Sequence, residues 1–590
     1  MKRDNPALFL FSKTWKYSAG NRKNVVLYWV MFLVANAIAL LSPLLVGRVM
    51  NIVQTQGVTT GNIWQLLGLI SLTLVITIAF WALHGPARVI EADNAFKVRA
   101  NYKKYLFHGV MSLPIEWQTN HHSGNTMDKI EKGTGALYSF SEDSFQIIQS
   151  IVELSVSYFV LVYFNVHSSY IVLIMIAITT WIIMRFDRVL VRQYRELNHA
   201  ENDISERIYD VVSNVTTIII LRVEKFVFKA ISKRIDKPYE LFHESRKLNE
   251  TKWFLVSFCS RVMVIAVLTI YLVSNVGTVQ GVLVGNFFIL WSYLDKISEL
   301  FYRFADMYGN LLQRKTRVMN AEELAEDFQS KPDLDEAVLN HWYRMEVKNL
   351  AFSYHTEEGA DLHLDDISFS VKRGERIALV GESGSGKTTL LKIIRDLYHP
   401  RSLDLFVDGM LVAGGFKAIS STIALVPQDP EIFSTTILEN ITLGVEHEMG
   451  DVRRFTDMAR FTEVVERLPK KFDSSIVEKG VNLSGGEKQR LALARGLMAC
   501  EDKSVILLDE PTSSIDLVNE MQIHKNIFGG FTDKTIISSV HRLHLLPLFD
   551  RIYFFTDGKI SCSGTLSELI AESEEFRTLW MHYSESKLTN

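Results

Sequence analysis

The chain of 590 residues has few of the residues that mark secreted, fibrous or disordered proteins. Its three cysteines, Cys259, Cys500 and Cys562, cannot form a disulfide framework, which excludes a secreted disulfide-rich scaffold. With only 12 prolines and 32 glycines, a collagen-like or low-complexity chain is excluded as well. There is no large excess of either charge, because 63 Lys and Arg residues oppose 67 Asp and Glu residues. This balance excludes a strongly basic nucleic-acid binder, so no nucleic-acid partner is expected.

Long apolar runs, in contrast, fill much of the first half of the chain. Residues 24–47 carry no charge, and at 1.5 Å per residue they are long enough to cross a hydrocarbon core of about 30 Å. Further runs cover 63–83, 154–184 and 262–294, and a short polar break divides each of the last two. Such hairpins are typical of membrane helices rather than of a large soluble core. The sequence therefore predicts six transmembrane helices within residues 24–325, in contact with membrane lipids.

Basic residues predict the orientation of these helices. The leader 1–23 contains six Lys and Arg residues, and the long segments 88–143 and 185–261 are also basic, whereas the breaks 165–169 and 274–281 contain none. Because Lys and Arg concentrate on the cytoplasmic side, both termini are expected in the cytoplasm. The leader resembles neither a secretory signal nor a transit peptide, which favours a bacterial plasma membrane.

The cytoplasmic segments are too long to be simple loops. Few glycines and prolines interrupt residues 88–143 and 185–255, so we expect helices that continue tens of Å beyond the bilayer. Their two tips are predicted near residues 113–117 and near residues 216–225.

The second half alternates short β-like runs with helical stretches, which predicts an α/β domain with a largely parallel sheet. This domain is expected over residues 344–590, after a linker at 326–343. Its strongest motif is residues 381–388, which fit G-x-x-x-x-G-K-[ST] between a predicted strand and a predicted helix. In such a loop, backbone N–H groups surround phosphates, a lysine supplies positive charge and a hydroxyl reaches Mg²⁺. The predicted nucleotide-binding residues here are Gly381, Ser383, Gly384, Ser385, Gly386, Lys387, Thr388 and Thr389.

Two further motifs complete the predicted chemistry. Residues 505–508 read as a buried strand that ends in Asp509 and Glu510. Asp509 is placed to hold Mg²⁺, and Glu510 is placed to orient or deprotonate an attacking water. Ser484, Gly485 and Gly486 precede a predicted helix, whose N-terminal N–H groups form an anion site. A second phosphate-binding turn makes sense if it closes over nucleotide held by another copy of the domain.

On these residues the sequence resembles the ATP-binding cassette (ABC) transporters, as a half-transporter of the exporter type. The signature corresponds to residues 483–490, Leu-Ser-Gly-Gly-Glu-Lys-Gln-Arg, and the D-loop to Ser513–Asp516. The resemblance implies ATP and Mg²⁺ as ligands, with Tyr354 stacking on adenine, Gln428 as the Q-loop glutamine that joins the metal site, and His541 as the switch histidine. It implies a membrane α-helical domain joined to a cytoplasmic α/β phosphate-loop ATPase domain.

The resemblance also implies a dimer in which two cassettes enclose ATP. One chain would supply Lys387, Thr388, Gln428, Asp509, Glu510 and His541. The other chain would supply Ser484 and Gly486. Asp516, in the D-loop, is also expected at the nucleotide. The D-loop reads Ser-Ser-Ile-Asp where the family commonly has Ser-Ala-Leu-Asp, and the segment 477–480 also departs from the usual pattern. All catalytic and signature residues are kept, so a homodimer is favoured and a heterodimer is permitted.

The cargo is less constrained by the sequence. Glu153, Arg261 and Asp295 are predicted roughly 15–20 Å into the bilayer, with Gln149 one helical turn from Glu153. They form either a polar substrate cavity or an interhelical structural pair. The favoured function is ATP-driven transport of an amphipathic small molecule, lipid or peptide by alternating access, with export as the favoured direction. The alternatives are a membrane ATPase that gates or regulates a partner, and an exporter-type importer of, for example, a siderophore.

Overall fold

The computed structural model describes residues 5–121, 123–164, 166–276, 282–328, 342–356, 359–429, 431–476 and 483–588. These residues form two compact units. The first unit comprises the described residues up to Leu113 and those from His121 to Phe328. The second comprises Pro114–Asn120 and the described residues from Trp342 onward.

The first unit is entirely helical in its described part. Its helices, together with the short helix α5 that belongs to the second unit, are α1 (Pro6–Tyr17), α2 (Arg22–Ala39), α3 (Ser42–Gln56), α4 (Ile63–Met111), α5 (Ile115–Asn120), α6 (Ser123–Glu142), α7 (Ser144–Phe164), α8 (Val166–Ser213), α9 (Val215–Ile220), α10 (Glu224–Asp236), α11 (Tyr239–Ser274) and α12 (Val284–Glu326). At 1.5 Å per residue, α4 and α8 are each on the order of 70 Å long, more than twice a hydrocarbon core. This length agrees with helices that extend far beyond a bilayer.

Five helical stretches in the described residues are long and apolar enough to cross a membrane: Arg22–Gln56, Ile63–Met111, Ser123–Phe164, Ser169–Ser213 and Glu224–Ser274. Large apolar side chains on them, such as Leu74 and Trp81, are more than half exposed in the chain alone, as expected of a surface that contacts lipid. The sixth predicted segment lies in α12, where charges begin at Asp295. A helical membrane domain is confirmed, and the number of six crossings stays a prediction.

The break between α6 and α7 at Asp143 is held by polar side chains of α4. Arg88 Nη1 donates to the carbonyl oxygen of Glu142, the last residue of α6, at 2.6 Å. Glu91, which is fully buried, accepts hydrogen bonds from the Ser144 hydroxyl at 2.6 Å and the Phe145 N–H at 2.9 Å. Helix ends leave N–H and C=O groups unsatisfied, so these bonds stabilise both sides of the break.

The second unit is an α/β domain with two sheets. Its strands are β1 (Arg344–Thr356), β2 (Gly359–Lys372), β3 (Arg376–Gly381), β4 (Ser402–Val407), β5 (Met410–Leu411), β6 (Ile423–Val426), β7 (Val505–Asp509), β8 (Thr535–Ser539), β9 (Arg551–Thr556) and β10 (Lys559–Gly564). Its other helices are α13 (Lys387–Ile394), α14 (Ile437–Thr442), α15 (Met449–Met458), α16 (Thr462–Arg467), α17 (Gly485–Ala499), α18 (Leu517–Gly530), α19 (Leu566–Glu572) and α20 (Glu574–Leu588), with short 3-10 turns between some of them.

The larger sheet has the strand order β10-β9-β3-β8-β7-β6 and is parallel except at β10. The smaller sheet, β2-β1-β4-β5, is antiparallel. In β7 every residue is buried: Val505 and Leu507 join one hydrophobic cluster, whereas Ile506 and Leu508 join the other. Alternate side chains of a strand point to opposite faces, which explains why a central strand is apolar throughout. The predicted α/β domain with a largely parallel sheet is confirmed.

The predicted domain boundaries stay predictions. Helix α12 ends at Glu326 and β1 begins at Arg344, and most of the predicted linker 326–343 lies outside the described residues. Residues 477–480, whose pattern departs from the family, also lie outside them.

The candidate ATP site

The phosphate loop connects the carboxyl end of β3 to the first residue of α13. Gly386 has φ +102°, and a Cβ atom there would lie 2.5 Å from Leu364 Cδ2. A Cβ at Gly381 would lie 2.3 Å from the carbonyl oxygen of Phe555. These two positions require glycine because side chains rarely adopt such a φ and have no space here. The glycines therefore leave the backbone of the loop without side chains at these two positions, at the amino end of α13.

Lys387 is buried at the base of this loop. Its Nζ donates to the carbonyl oxygens of Gly381 and Glu382, both at 2.8 Å. Burial lowers the pKa of Lys387, and the nearby carboxylates of Glu510 and Asp509 act in the opposite direction. The ammonium is held by backbone oxygens that a phosphate oxygen can replace, so it is placed to bind an anion within the loop.

Asp509 ends β7 and collects two hydroxyl groups. Its Oδ1 accepts hydrogen bonds from Thr388 Oγ1 at 2.9 Å and from Ser539 Oγ at 2.7 Å. The strands β3, β8 and β7 are parallel neighbours, which brings the residues at their carboxyl ends to one edge of the sheet. Carboxylate and hydroxyl oxygens are ligands that suit Mg²⁺. Ser539 was not among the predicted site residues, because its position beside Asp509 depends on strand pairing.

Glu510 occupies a strained backbone conformation at the same edge. Its φ of +43° lies in the left-handed region, which costs on the order of 1 kcal/mol for a non-glycine residue and is common at functional sites. Its N–H donates to Ser539 Oγ at 2.9 Å, and its Oε2 accepts from Gln428 Nε2 at 2.8 Å. Gln428 thus orients the carboxylate of Glu510. The two residues were predicted separately from the sequence.

His541 follows β8 and lies near the same carboxylate. Together with Glu510, Ser513 and Ser539 it lines a cavity of about 200 Å³. Its role near the terminal phosphate stays a prediction, and no hydrogen bond in the described part of the chain fixes its ring.

Tyr354, on β1, is connected to the phosphate loop by a hydrogen bond of 3.1 Å between its hydroxyl and Thr389 Oγ1. Its contacts with Phe352, His363 and Tyr398 are all edge contacts, with centroids 4.8–5.5 Å apart. Among the described aromatic residues, none stacks on the face of Tyr354. The predicted stacking of Tyr354 on adenine stays a prediction.

The signature residues form the start of α17. Ser484 is the N-cap, its Oγ accepts from the Glu487 N–H, and the Glu487 carboxylate accepts from the Ser484 N–H. The hydrogen bond from the Ser484 backbone lowers the pKa of Glu487 more than its other contacts do. Gly485 and Gly486, the first two helical residues, have N–H groups without an intrahelical acceptor. Asp516 similarly caps α18 by accepting from the Asn519 N–H at 3.0 Å.

Gln489 bonds to the D-loop, a contact that the prediction did not include. Its Nε2 donates to Ser513 Oγ at 2.9 Å, and its Oε1 accepts from the Ser514 N–H at 2.8 Å. A Cβ at Gly486 would lie 3.0 Å from the Ser514 carbonyl oxygen. The D-loop therefore lies against the first turn of α17. The available signal was the place of Gln489 within the signature, one helical turn after Ser484 and Gly485.

In the membrane domain, the structure brings together only some of the four predicted cavity residues. Glu153 accepts from Gln149 Nε2 at 2.8 Å and from Arg303 Nη1 at 3.0 Å. Arg303 was not predicted, because its contact with Glu153 joins helices α7 and α12. Arg261 and Asp295 are exposed in the chain alone and form no ion pair in the described residues.

The comparisons with known proteins agree with this arrangement. Two family models match, described as ABC transporter transmembrane region over residues 25–297 and ABC transporter over residues 364–513. The β-(1→2)glucan export ATP-binding/permease protein NdvA of Rhodopseudomonas palustris is 28% identical over 564 residues, covering 91% of this chain and 90% of NdvA. The transport/processing ATP-binding protein ComA of Streptococcus pneumoniae is 27% identical over 527 residues, covering 86% of this chain and 70% of ComA.

A solved structure supports the fold independently. The structure of a bacterial Atm1-family ABC exporter with ATP bound matches with a TM-score of 0.81 at 21% identity, covering 96% of this chain and 99% of that one. A helical membrane domain and a phosphate-loop ATPase domain in one chain define an ATP-driven membrane transporter. This chain belongs to the ABC transporter family, as an integral multi-pass membrane protein of the exporter type that binds and hydrolyses ATP.

Proposed function

We propose that two copies of this chain form a homodimer that exports an amphipathic molecule across a bacterial plasma membrane, with both termini in the cytoplasm. The observation that carries this proposal is the set of hydrogen bonds that joins Gln428, Glu510, Ser539, Asp509 and Thr388 at one sheet edge. A complete set of hydrolytic residues supports an active site in every copy, so no second, different chain is needed to supply one. A heterodimer with this chain as the active partner is the alternative.

The proposed hydrolysis uses each residue in a defined role. Lys387 neutralises charge on the β and γ phosphates while backbone N–H groups of the loop hold them. Glu510, oriented by Gln428, accepts a proton from the attacking water, and His541 stabilises the terminal phosphate. The strained backbone of Glu510 fixes the carboxylate before substrate binds. Tyr354 holds the adenine base.

The oxygen donors at the sheet edge fit Mg²⁺. Thr388 and Asp509 would hold the ion, with the amide oxygen of Gln428 close by, and the contact of 2.9 Å between Thr388 and Asp509 shows that these two donors converge. When bound, Mg²⁺ neutralises charge that develops on the phosphates. The amide of Gln428 has its nitrogen on Glu510 and therefore keeps its oxygen for another partner.

A dimer is needed because the signature turn of one copy faces the nucleotide of another. In the chain alone, the side chain of Ser484 bonds only within its capping box with Glu487 in the described residues.

The second cytoplasmic tip gives separate support for the dimer. Around α9, the apolar residues Ile220 and Leu221 are 74% and 64% exposed, and Phe226 is 82% exposed. Apolar side chains at a helix tip in the cytoplasm call for a protein partner, and we assign the cassette of the second copy.

The proposed coupling follows from the two tips. Helix α5, at the first tip, belongs to the same compact unit as the cassette of its own chain. With the second tip on the other cassette, closure of the cassettes around ATP would move both membrane domains as rigid bodies and alternate the access of a central cavity. Gln149, Glu153, Arg261 and Asp295 are proposed to line that cavity. Paired and unpaired charges within an otherwise apolar wall favour an amphipathic cargo.

The test is ATP hydrolysis by the purified full-length chain in nanodiscs, measured against ATP concentration, with Glu510→Gln as the inactive reference. Turnover by the chain alone supports the homodimer. Absence of turnover in folded, ATP-binding protein contradicts the homodimer and favours a heterodimer. ATP-dependent movement of a solute into sealed inside-out vesicles then separates export from a role in gating a partner.

A further inference from the structure

A buried polar cluster lies beside the catalytic residues and has no part in the hydrolysis described above. Its centre is Glu520 on α18, which is 3% exposed. Glu520 Oε1 accepts from Thr512 Oγ1 at 2.7 Å, and Oε2 accepts from Arg542 Nη1 at 2.9 Å. Thr512 comes two residues after Glu510, and Arg542 directly follows His541. One buried carboxylate therefore joins the segment after the catalytic glutamate to the segment with the switch histidine.

Arg542 also holds the backbone of the D-loop. Its Nη1 donates to the Ile515 carbonyl oxygen at 2.7 Å, and its Nη2 donates to the Ser513 carbonyl oxygen at 3.0 Å. The planar guanidinium thus serves three acceptors on two segments, which the single ammonium of a lysine does not reproduce. On its other side the D-loop is bonded to Gln489 of α17, as described above. We call the set Thr512, Glu520 and Arg542 the D-loop clamp.

A cavity lies beside the clamp. The cavity of about 200 Å³ next to Glu510 and His541 is also lined by Glu520, Arg542 and His524. His524 is 2% exposed, and its Nδ1 has no hydrogen-bond partner in the described part of the chain. The residues of the clamp thus share the wall of this cavity with Glu510 and His541. The clamp ties two segments of the catalytic site together.

We propose that Glu520 and Arg542 are positioning residues that make the D-loop and the switch-histidine segment move as one unit. The inference rests on the proposed dimer, in which the D-loop, lying against the signature turn, faces the ATP held by the second copy. Nucleotide at that site displaces the D-loop, and Arg542 transmits the displacement to His541 of its own site. Each site thereby sets the catalytic geometry of the other.

The experiment measures ATP hydrolysis by the full-length chain in nanodiscs for Arg542→Ala, Arg542→Lys and Glu520→Gln. We expect a decrease in kcat of about tenfold for Arg542→Ala, with the half-saturating ATP concentration within about twofold of wild type and a Hill coefficient close to one, as for lost coupling between sites. Arg542→Lys should recover part of the kcat, because it keeps the charge near Glu520. The matched control is Arg454→Gln, which removes an exposed ion pair of 2.5 Å with Glu501 and should leave kcat and cooperativity unchanged.

Three results overturn the proposal: wild-type kcat and cooperativity in Arg542→Ala, a change in half-saturating ATP concentration alone, or the same loss in Arg454→Gln. If Arg542→Ala fails to fold, Thr512→Val decides, since it removes one hydroxyl from the clamp. Loss of cooperativity in Thr512→Val supports the clamp, and wild-type cooperativity overturns it. Failure of the proposed dimer is recognised separately, because the wild-type chain itself, folded and able to bind ATP, would then show no turnover.

Discussion

At the scale of single residues, Glu510 combines a strained backbone with a side chain that a neighbour orients. We predict that Glu510→Gln lowers the ATP turnover of the full-length chain by at least about 100-fold, the usual contribution of a general base. ATP binding should remain, because the phosphate loop does not use this side chain. Turnover and binding of a fluorescent ATP analogue, measured on one preparation, separate the two effects. Turnover close to that of wild type would remove Glu510 from its assigned role.

Substitution of Lys387, unlike that of Glu510, should weaken ATP binding itself. Its ammonium is buried and bonded to two carbonyl oxygens of the loop, in the position where phosphate oxygens would bind. We predict that Lys387→Ala weakens ATP binding about tenfold or more, since hydrogen bonds to charged groups contribute about 1.5–3 kcal/mol. Equilibrium titration with the same ATP analogue measures this change, with Lys392→Ala, on the same helix, as control. Equal affinities for wild type and Lys387→Ala would contradict the assignment.

Residues in local motifs were predictable, and residues in non-local contacts were not. Lys387, Thr388 and Glu510 follow from short patterns, because a phosphate loop and a strand end need particular residue types at fixed spacing. Ser539 contacts Asp509 only because β8 pairs with β7. Arg303 contacts Glu153 from another helix, and the two residues are 150 positions apart in the sequence. No local pattern contains such information.

At the scale of structural elements, the start of α17 has two roles that can be separated. Ser484 caps its helix through a capping box, and Thr565 caps α19 in the same way. Ser484→Ala and Thr565→Ala should each reduce stability by about 1 kcal/mol. Only Ser484→Ala should also reduce kcat, because only this cap faces nucleotide in the proposed dimer. Thermal unfolding and ATP turnover of both variants test this, and equal turnover in the two variants would contradict it.

Helix α18 is predicted to make the fold sensitive to acid. Burial lowers the pKa of His524 to about 4 from an ordinary value of 6.5, and His544 acts in the same direction. The unfolded chain therefore binds a proton before the folded chain does, and stability falls as the pH decreases from about 6.5 to about 4, by up to about 3 kcal/mol. His524→Phe, beside Phe528 and Phe549, should reduce this loss. The midpoint of thermal unfolding at pH 7 and pH 5 measures it, with exposed His582→Phe as control; equal pH dependence in wild type and His524→Phe would contradict it.

At the scale of the whole molecule, the division into a helical membrane domain and an α/β domain was predictable because each has its own periodicity of apolar residues. Uncharged runs of more than 20 residues and buried β strands of four or five residues cannot be confused. The break at Asp143 was not predictable, because it depends on Arg88 and Glu91 of a distant helix. The proposed assembly of two chains is supported by the signature turn, which the sequence contains, and by the exposed apolar tip around α9, which only the structure reveals.

In the proposed dimer, the second tip of one chain seats on the cassette of the other. The cassette has a largely apolar groove of about 280 Å³, lined by Pro427, Leu443, Ala492 and Arg495 among others. Pro427 precedes Gln428, so a helix tip seated in this groove would contact the segment that orients Glu510. We predict that Ile220→Cys in one chain forms a disulfide with Leu443→Cys in a differently tagged second chain, in a background without the three native cysteines.

The tags decide whether the link is made within a chain or between chains. If the second tip serves the partner's cassette, the oxidised product carries both tags, and Trp64→Cys, at the other end of the membrane domain, gives none. A link formed only when both cysteines are in one chain would instead seat the tip on its own cassette.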